Sequence, residues 1–318
     1  MPGAGTKAKI ASFAKAAAKK DHHTPASLLV DSAFKKVAPH HNEILPNLQY
    51  IERATNRIRA KERPEHPRDL NFILDEYNIP ENFVKKDISR DGQRYLILGT
   101  DLQFELFSKA KVIFFDATFK SVKKPFKQMA SFHTFVESKG KMKQVPLCFI
   151  IMSRRQRSDY KAVLEAILNL LPSKPVVKEV ILDFERAMWG AFRRVLPTVN
   201  LHGCWFHWAQ AVYRKVKGAG LKKQYAKNHS IRSYIRQLMA LPHLPGSHIP
   251  EAFAKLKSRT TSDKRIKKVL TYIENKWVNS IDNPPSSWSN FERTIRTNND
   301  VTRLDHHIRG INYILYMN

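Results

Sequence analysis

Acidic residues are scarce in this chain of 318 residues, which has 28 Asp plus Glu against 55 Lys plus Arg and a formal net charge of +27. The shortage is greatest in residues 186–250, where no Asp or Glu occurs and eleven residues are Lys or Arg. Such an imbalance attracts polyanions, and it argues against an enzyme that acts on small neutral metabolites. We therefore expect a nucleic-acid partner.

Cysteine and long apolar runs are also scarce. Two cysteines, Cys148 and Cys204, are too few for a disulfide framework in a chain of this length, which fits a reducing compartment. No run of about 18 uncharged apolar residues occurs, so the sequence predicts no membrane span. With 42% hydrophobic residues the chain still has enough apolar surface for a core. Its length allows roughly two domains of average size.

Apolar runs separated by turn residues predict the central elements. Strands are predicted at residues 111–120, 127–136, 144–152, 178–183 and 200–205, and helices at residues 158–171, 185–196, 208–217, 224–241, 249–258 and 266–281. This order indicates an α/β fold in which helices follow the last strand. Before it, residues 1–25 form a basic tail, interpreted as an arm on nucleic acid, an import signal or a frayed terminus. Residues 26–95 form a mainly helical region.

Two aspartates end strongly apolar predicted strands. Asp116 follows the run that begins at residue 111, and Asp183 follows the run that begins at residue 178. If these strands are neighbours, the two carboxylates meet at one edge of a sheet, where a divalent cation keeps both ionised. The alternative is that each aspartate caps the turn or helix after it, as Asp183 would before the helix at 185–196.

The acid-free stretch supplies the candidate DNA contacts. Seven basic residues in it are predicted to contact phosphates: Arg214, Lys215, Lys217, Lys222, Lys223, Arg232 and Arg236. Five aromatic residues are interleaved with them and suit base or sugar stacking: Trp205, Trp208, Tyr213, Tyr225 and Tyr234. The alternative is that the aromatic residues are core and the charges face water, which explains the aromatic residues well and the missing acids poorly.

Five blocks of the sequence carry a family resemblance. They are FFDATFKSVKKPFKQM, YKAVLEAILNLLP, VILDFERAMWGAF, HGCWFHWAQAVYRKVKGAGL and WSNFERTIRTNNDV, in that order along the chain. Together they resemble the transposase domain of Mutator-like elements (MULE). More narrowly, they are similar to the animal branch whose members begin with a FLYWCH-type zinc finger. The likeness covers about residues 64–305.

The resemblance implies a fold, a chemistry and a set of residues. It implies an RNase H-like domain over residues 96–318, with a mixed central sheet flanked by helices and an all-helical insertion at about residues 208–285. It also implies a DDE acid triad that binds Mg²⁺ or Mn²⁺ for DNA strand cleavage and transfer. Asp116 matches the first acid and Asp183 the second. Cys204 and His207 match the family's C-x-x-H signature.

The chain departs from the family pattern at the third acid. Thr302 stands where the family has a glutamate, shortly after the Asn-Asn pair at residues 298–299. Asp305 and Glu292 are weaker substitutes for that acid. The N-terminal zinc finger is reduced to a histidine pair at residues 22–23 with no upstream cysteine, so zinc is not expected there. The helix that carries the third acid is also expected to be truncated.

Two functions therefore remain open. The first is a transposase-derived DNA-binding protein whose ancestral reaction is Mg²⁺-dependent cleavage and transfer at the terminal repeats of an element. The second is a catalytically dead or co-opted nucleic-acid-binding protein. Both place the chain in the nucleus with DNA as its partner, and a homo-oligomer is compatible with either. Cys204 and His207 either ligate a metal or order the strand end before them.

Overall fold

A computed structural model of the chain describes residues 4–21, 24–37, 47–62, 67–74, 79–118, 122–259 and 263–293. The chain divides into two compact units, and the described residues from 79 onward belong to the second. No helix within these ranges is long and apolar enough to cross a membrane. Thr302, Asp305 and the histidine pair at residues 22–23 lie outside the described residues.

The first unit contains three helices: α1 (Ala4–Lys20), α2 (Ala26–Val37) and α3 (Leu48–Glu62). Ile10, Ala14 and Ala18 recur every four residues of α1 and are fully buried, because residues four apart lie on one helix face. Val30 of α2 and Ile51 of α3 pack against this face. The interpretation of the basic tail as a frayed terminus is therefore wrong for residues 4–20, whose lysines lie on the outer side of a packed helix.

The second unit is built on one seven-stranded sheet. Its strands are β1 (Val84–Arg90), β2 (Gln93–Leu98), β3 (Val112–Thr118), β4 (Gln128–Ser138), β5 (Lys141–Met152), β6 (Glu179–Leu182) and β7 (Asn200–Gly203). The spatial order is β1-β2-β5-β4-β3-β6-β7. The pairs β3–β6 and β6–β7 are parallel, and the other four are antiparallel. The sheet is mixed, which confirms the predicted α/β class.

The main core covers one face of this sheet. Three helices pack on it: α4 (Asp101–Lys109), α5 (Arg157–Leu170) and α6 (Arg186–Val195). Phe115 of β3 and Val180 of β6 point into this core. Since side chains alternate along a strand, Phe114 of β3 points to the opposite face. There it packs with Ile181 and Cys204.

The helical insertion follows β7 and has its own core. It comprises α7 (Trp205–Gly218), α8 (Lys222–Lys227), α9 (His229–Ala240), α10 (Ile249–Ser258), α11 (Lys264–Ile273), a π-helical turn (Glu274–Val278) and α12 (Pro285–Trp288). Three buried tryptophans form its centre: Trp208 stacks on Trp288 with ring centroids 5.2 Å apart, and Trp277 meets Trp288 edge-on at 6.2 Å. The insertion is thus a packed helical layer rather than a loop.

Three predictions of secondary structure need correction. The mainly helical region predicted up to residue 95 ends earlier, because β1 and the first half of β2 fall within it. The predicted domain boundary at residue 95 therefore lies inside a strand, and the second unit begins at Ile79. The helix predicted at residues 224–241 is two helices, α8 and α9, which meet at Asn228.

Candidate functional site

The predicted carboxylate pair lies on neighbouring parallel strands. In β3 and β6 the paired residues differ by 67 positions, from Val112 opposite Glu179 to Phe114 opposite Ile181. The same offset places Asp116 level with Asp183, which directly follows β6. Neighbouring strands lie about 4.8 Å apart, so the two side chains leave the sheet side by side. Alternation along each strand directs both away from the main core.

His207 lies against this carboxylate pair. Its Nε2 is 3.6 Å from Oδ1 of Asp116, and both side chains are largely buried, with 18% and 14% of their surface exposed. Burial lowers the pKa of His207. However, its hydrogen bond to Cys204 and the nearby charges of Asp183 and Asp116 raise the pKa to about 9. The imidazole is therefore protonated at neutral pH and offsets the charge of the two carboxylates.

The C-x-x-H pair belongs to this site. Cys204 is buried and is the N-cap residue of α7, and its side chain hydrogen-bonds to His207 one helical turn later. His202 lies beside Arg293 and Glu179, and His229 is exposed at the start of α9. The structure therefore places His207 with the carboxylates rather than with these two histidines. The alternative role of Cys204 and His207, to order the strand end, stays a prediction.

Asp183 is positioned by the main chain rather than by a cap. The indole Nε1 of Trp189 in α6 donates to the carbonyl oxygen of Asp183 at 2.6 Å. The N-cap residue of α6 is Glu185, so the alternative that Asp183 caps this helix is wrong. Glu185 accepts a hydrogen bond from the Tyr160 hydroxyl at 3.0 Å. Burial raises the pKa of Glu185, and the charge of Asp183 raises it further.

No third acid joins the pair within the part of the chain that the structure describes. These residues contain no group of three or more His, Cys, Asp or Glu side chains that could hold a metal ion. Glu292 is exposed and adjoins Arg293, whose Nη1 contacts Oε2 of Glu179 at 2.5 Å. Glu179 begins β6 whereas Asp183 follows its other end, about 13 Å away at roughly 3.3 Å per residue. The structure thus does not bring Glu292 to the carboxylate pair.

The donor set fits one magnesium ion better than two. Mg²⁺ binds hard oxygen ligands and commonly uses one or two protein carboxylates, with water and substrate phosphates completing its shell. Asp116 and Asp183 supply this number of carboxylates, Asp116 within β3 and Asp183 directly after the parallel strand β6. A two-metal site needs a further acid, and the sequence positions considered for it, 302 and 305, lie outside the described residues.

The helical layer presents a basic groove between α7 and α11. Six residues line it: Lys215, Lys268, Thr271, Tyr272, Asn275 and Lys276. We call it the α7–α11 groove; its volume is about 450 Å³. The Nζ of Lys215 lies 5.5 Å from the centre of the Tyr272 ring. No described acidic side chain lines the groove, so its three lysines form an uncompensated positive surface.

The other predicted DNA contacts are spread over the helical layer. Arg214, Lys217, Lys222, Lys223 and Arg236 are exposed.

Arg232 differs from these five because its guanidinium has an internal role. Its Nε donates to the carbonyl oxygen of Tyr225 at 3.0 Å and its Nη2 donates to that of Ala226, so it binds the last carbonyls of α8. Such carbonyls have no partner within their own helix. Arg232 therefore stabilises a helix end as well as adding charge.

The aromatic residues of the basic stretch serve packing. Trp208 is fully buried, and Trp205 donates through its indole nitrogen to the Met239 carbonyl oxygen at 3.3 Å. Tyr213 and Tyr225 pack against each other with ring centroids 5.2 Å apart. Base stacking is therefore wrong for Trp208, and the core interpretation holds for Trp208, Tyr213, Tyr225 and Tyr234, whose rings pack in the helical core.

Lys268 and Lys276 were not among the predicted DNA contacts. Both lie outside the acid-free stretch, in a segment that also contains Asp263 and Glu274. In the structure those acids face other residues, since Asp263 contacts Arg265 at 2.8 Å and Glu274 contacts Lys257 at 2.7 Å. A helical wheel of residues 264–278 would have separated the lysines from the apolar face, but not from the acids.

The fold and the site together define a mixed α/β domain with a carboxylate pair on parallel strands and a basic helical layer. Residues 112–211 match the family model of the MULE transposase domain. The match runs from the start of β3 into α7 and includes Asp116, Asp183, Cys204 and His207. It shows that this part of the chain is similar to a MULE transposase domain. A comparison with curated proteins gave no match. The narrower likeness to the animal branch whose members begin with a FLYWCH-type zinc finger is not covered by the matched residues and stays a prediction.

Proposed function

We propose that the chain is a transposase-derived DNA-binding protein with an RNase H-like fold, which holds Mg²⁺ or Mn²⁺ at Asp116 and Asp183. The observation that carries this proposal is the parallel register of β3 and β6, which sets the two carboxylates level with each other inside the MULE match. The mixed sheet and the helical insertion after β7 support it.

The carboxylates and His207 have different roles in the proposed site. A divalent cation bound there supplies charge stabilisation and activates water or a 3′-hydroxyl for phosphodiester chemistry. Asp116 and Asp183 provide hard oxygen ligands. His207 is held by Cys204 and keeps a positive charge next to the carboxylates. That charge reduces the repulsion between Asp116 and Asp183 and attracts a phosphate group to the edge of the sheet.

DNA is the proposed partner because of the charge of the helical layer. The α7–α11 groove offers three lysines with no acidic side chain among its lining residues. Lysine contacts to phosphates are independent of sequence and position the nucleic acid. We extend the proposal to the terminal repeats of an element as the DNA, to the nucleus as the compartment, and to a second copy of the chain as an assembly partner.

Binding without cleavage is the second candidate. It is favoured by the number of acids: the described residues bring two carboxylates together, and Thr302 stands at the sequence position of the third. A hydroxyl does not replace an ionised metal ligand without changing the charge of the site by one unit. In this second candidate the chain binds DNA, and Asp116 and Asp183 bind a metal ion without catalysing strand cleavage.

The metal site is tested by the effect of Mg²⁺ on thermal stability. A ligand that binds only the folded chain stabilises it by about 2.7 kcal/mol at a hundred times its dissociation constant. We expect Mg²⁺ to raise the melting temperature of the wild type and to leave that of Asp116→Asn unchanged. Asp91→Asn is the matched control, because Asp91 lies in the exposed turn between β1 and β2. Equal responses of all three proteins would place the metal elsewhere or exclude it.

A nicking assay separates the two candidates. The full chain is incubated with a labelled duplex and Mg²⁺ or Mn²⁺, and wild type is compared with Asp116→Asn while duplex binding is measured in parallel. Product that depends on Asp116 identifies a catalyst and contradicts the second candidate. Intact duplex binding with no product identifies a binder. Absence of duplex binding would overturn the proposed function itself.

A further inference from the structure

A small cavity lies between the first turn of α5, one side of α6 and the segment that precedes α12. Arginines from two helices line it, Arg157 of α5 and Arg186 and Arg193 of α6, together with Asp282 and Asn283. We call it the arginine pocket. Its volume is about 80 Å³, far below the roughly 300 Å³ at which pockets for small organic molecules begin. It therefore suits a small group rather than a nucleoside or a cofactor.

Gly190 leaves the space that Arg157 occupies. A Cβ at residue 190 would lie 2.5 Å from Nε and 2.9 Å from Cζ of Arg157, distances that real side chains do not adopt. The guanidinium of Arg157 therefore rests directly on the backbone of α6. Any residue other than glycine at this position would displace the end of a flexible side chain, while the helix itself would remain intact.

Trp189 contacts Arg193, another arginine of the pocket. The guanidinium carbon of Arg193 lies 5.4 Å from the centre of the Trp189 ring, a cation–π contact. Trp189 is 4% exposed and is anchored by its hydrogen bond to the Asp183 carbonyl oxygen. Phe184 also lines the cavity. The pocket is thus connected to the backbone of Asp183, through the next residue, Phe184, and through the hydrogen bond of Trp189 to the Asp183 carbonyl oxygen.

The charge of the pocket is positive even after its internal ion pair. Asp282 contacts Arg186 at 3.0 Å, but both side chains are more than half exposed, and such a surface pair adds little stability. Three guanidinium groups thus share one carboxylate. Guanidinium forks match the oxygen atoms of phosphate and are weakly hydrated, which favours arginine at phosphate sites.

We infer that the arginine pocket binds a phosphate group, and that this phosphate belongs to the nucleic-acid strand lying across Asp116 and Asp183. The identity of the strand rests on the proposed function, whereas the affinity for phosphate rests on the pocket alone. The pocket holds the backbone of the strand at one side of the carboxylate pair, while the α7–α11 groove supplies a separate set of contacts.

Three substitutions test the pocket in the full chain. Arg157→Gln and Arg193→Gln each remove one guanidinium, and Gly190→Ala displaces Arg157 without changing the net charge. Arg194→Gln is the matched control, because Arg194 is the exposed neighbour of Arg193 on α6 and does not line the cavity. Circular dichroism of each variant verifies that the helices are retained.

Two measurements distinguish the source of the phosphate. Anisotropy of a labelled duplex over a range of KCl concentrations gives the affinity and its salt slope. The melting temperature in inorganic phosphate, against chloride at equal ionic strength, gives the intrinsic response to the anion. For the three pocket variants we expect about tenfold weaker duplex binding and a slope reduced by roughly 0.9, the value for one phosphate contact. We also expect a smaller response to phosphate, and wild-type behaviour from Arg194→Gln.

Each outcome decides one of the two claims. If the pocket variants match Arg194→Gln in both measurements, the pocket is not a phosphate site. A second outcome is that no protein binds the duplex but the response to phosphate is lost only in the pocket variants. The pocket is then a phosphate site whose ligand is free phosphate, and the proposed function is wrong. If only duplex binding changes, the pocket recognises phosphate in the context of the strand.

Discussion

At the scale of single residues, Phe184 and Gly203 fix the backbone around the carboxylate pair. The Phe184 ring meets Trp277 edge-on with centroids 4.5 Å apart. A Cβ at residue 203 would lie 2.1 Å from this ring. Phe184 directly follows Asp183, and Gly203 directly precedes Cys204. One contact therefore sets both the strand end that carries the second acid and the start of the helix that carries His207.

Gly203→Ala tests this contact. The added methyl group has no room beside Phe184, so we expect the free energy of unfolding to fall by about 1–3 kcal/mol, the usual cost of overpacking a well-packed core. The response of the melting temperature to Mg²⁺ should shrink as well, because the shift of Phe184 moves Asp183. Urea denaturation measures the first effect.

Gly218→Ala is the control for Gly203→Ala. A Cβ at residue 218 would meet nothing within 4 Å, so this change should be neutral or slightly stabilising through the reduced entropy of the unfolded chain. Equal stability of the two variants would show that the backbone yields easily at residue 203. The role given to the contact between Phe184 and Gly203 would then be wrong.

At the scale of secondary-structure elements, the break between α8 and α9 shows how the chain changes direction within the helical layer. Asn228 is the N-cap residue of α9, and its Oδ1 accepts from the backbone nitrogen of Ile231 at 3.1 Å. On the other side of the break, Arg232 binds the last carbonyls of α8. The two side chains satisfy backbone groups that a helix end otherwise exposes.

Asn228→Ala removes one of these caps. Loss of an N-cap typically costs about 1 kcal/mol, and we expect a decrease of that size in the free energy of unfolding. Gln237→Ala is the matched control, since Gln237 is exposed on α9 and makes only a long side-chain contact with Ser233 at 3.5 Å. If both variants unfold at the same urea concentration, the cap contributes nothing and the break has another cause.

Element prediction from the sequence succeeded for the buried strands from β3 onward, but it missed β2, which is equally buried. The strands that became β3 and β6 are short apolar runs, and their burial on both faces makes such runs recognisable. β1 was missed because its residues, such as Lys86 and Asp87, are mostly polar at the edge of the sheet. The break at Asn228 was missed because one capping residue barely changes the apolar period of the surrounding helices.

Site residues could be predicted from the sequence only where a local pattern marked them. The pairing of Asp116 with Asp183 was predictable because each directly follows the apolar run of a buried strand. The position of His207 beside them was not, since it depends on where α7 starts relative to β3, a tertiary contact without a local sequence signal. The arginine pocket likewise depends on Gly190, whose missing side chain has meaning only once Arg157 is seen to lie against it.

At the scale of the whole molecule, the net charge of +27 is unevenly compensated. Acids of the helical layer pair with nearby basic residues, as Glu251 does with Lys255 at 2.6 Å and Glu274 with Lys257 at 2.7 Å. The lysines of the α7–α11 groove have no acidic side chain among the groove's lining residues. The positive electrostatic field at the groove is therefore stronger than expected from the fraction of the net charge that the groove carries.

This difference in compensation predicts how substitutions affect DNA binding. Lys215→Gln, Lys268→Gln and Lys276→Gln should each weaken binding to any duplex, because phosphate contacts do not depend on base sequence. Each lost contact should lower the slope of log affinity against log salt by roughly 0.9. Lys255→Gln is the control, because it changes the net charge equally but removes a lysine already paired with Glu251.

The comparison with Lys255→Gln separates a local groove from a general charge effect. A bulk electrostatic attraction would respond to net charge alone, so all four single variants would lose affinity to the same degree. A groove that holds the backbone would instead give a clear loss of slope for the groove lysines and almost none for Lys255, and combining the three groove substitutions would lower the slope further. Identical slopes for Lys255→Gln and the triple variant would place the DNA on another face of the chain.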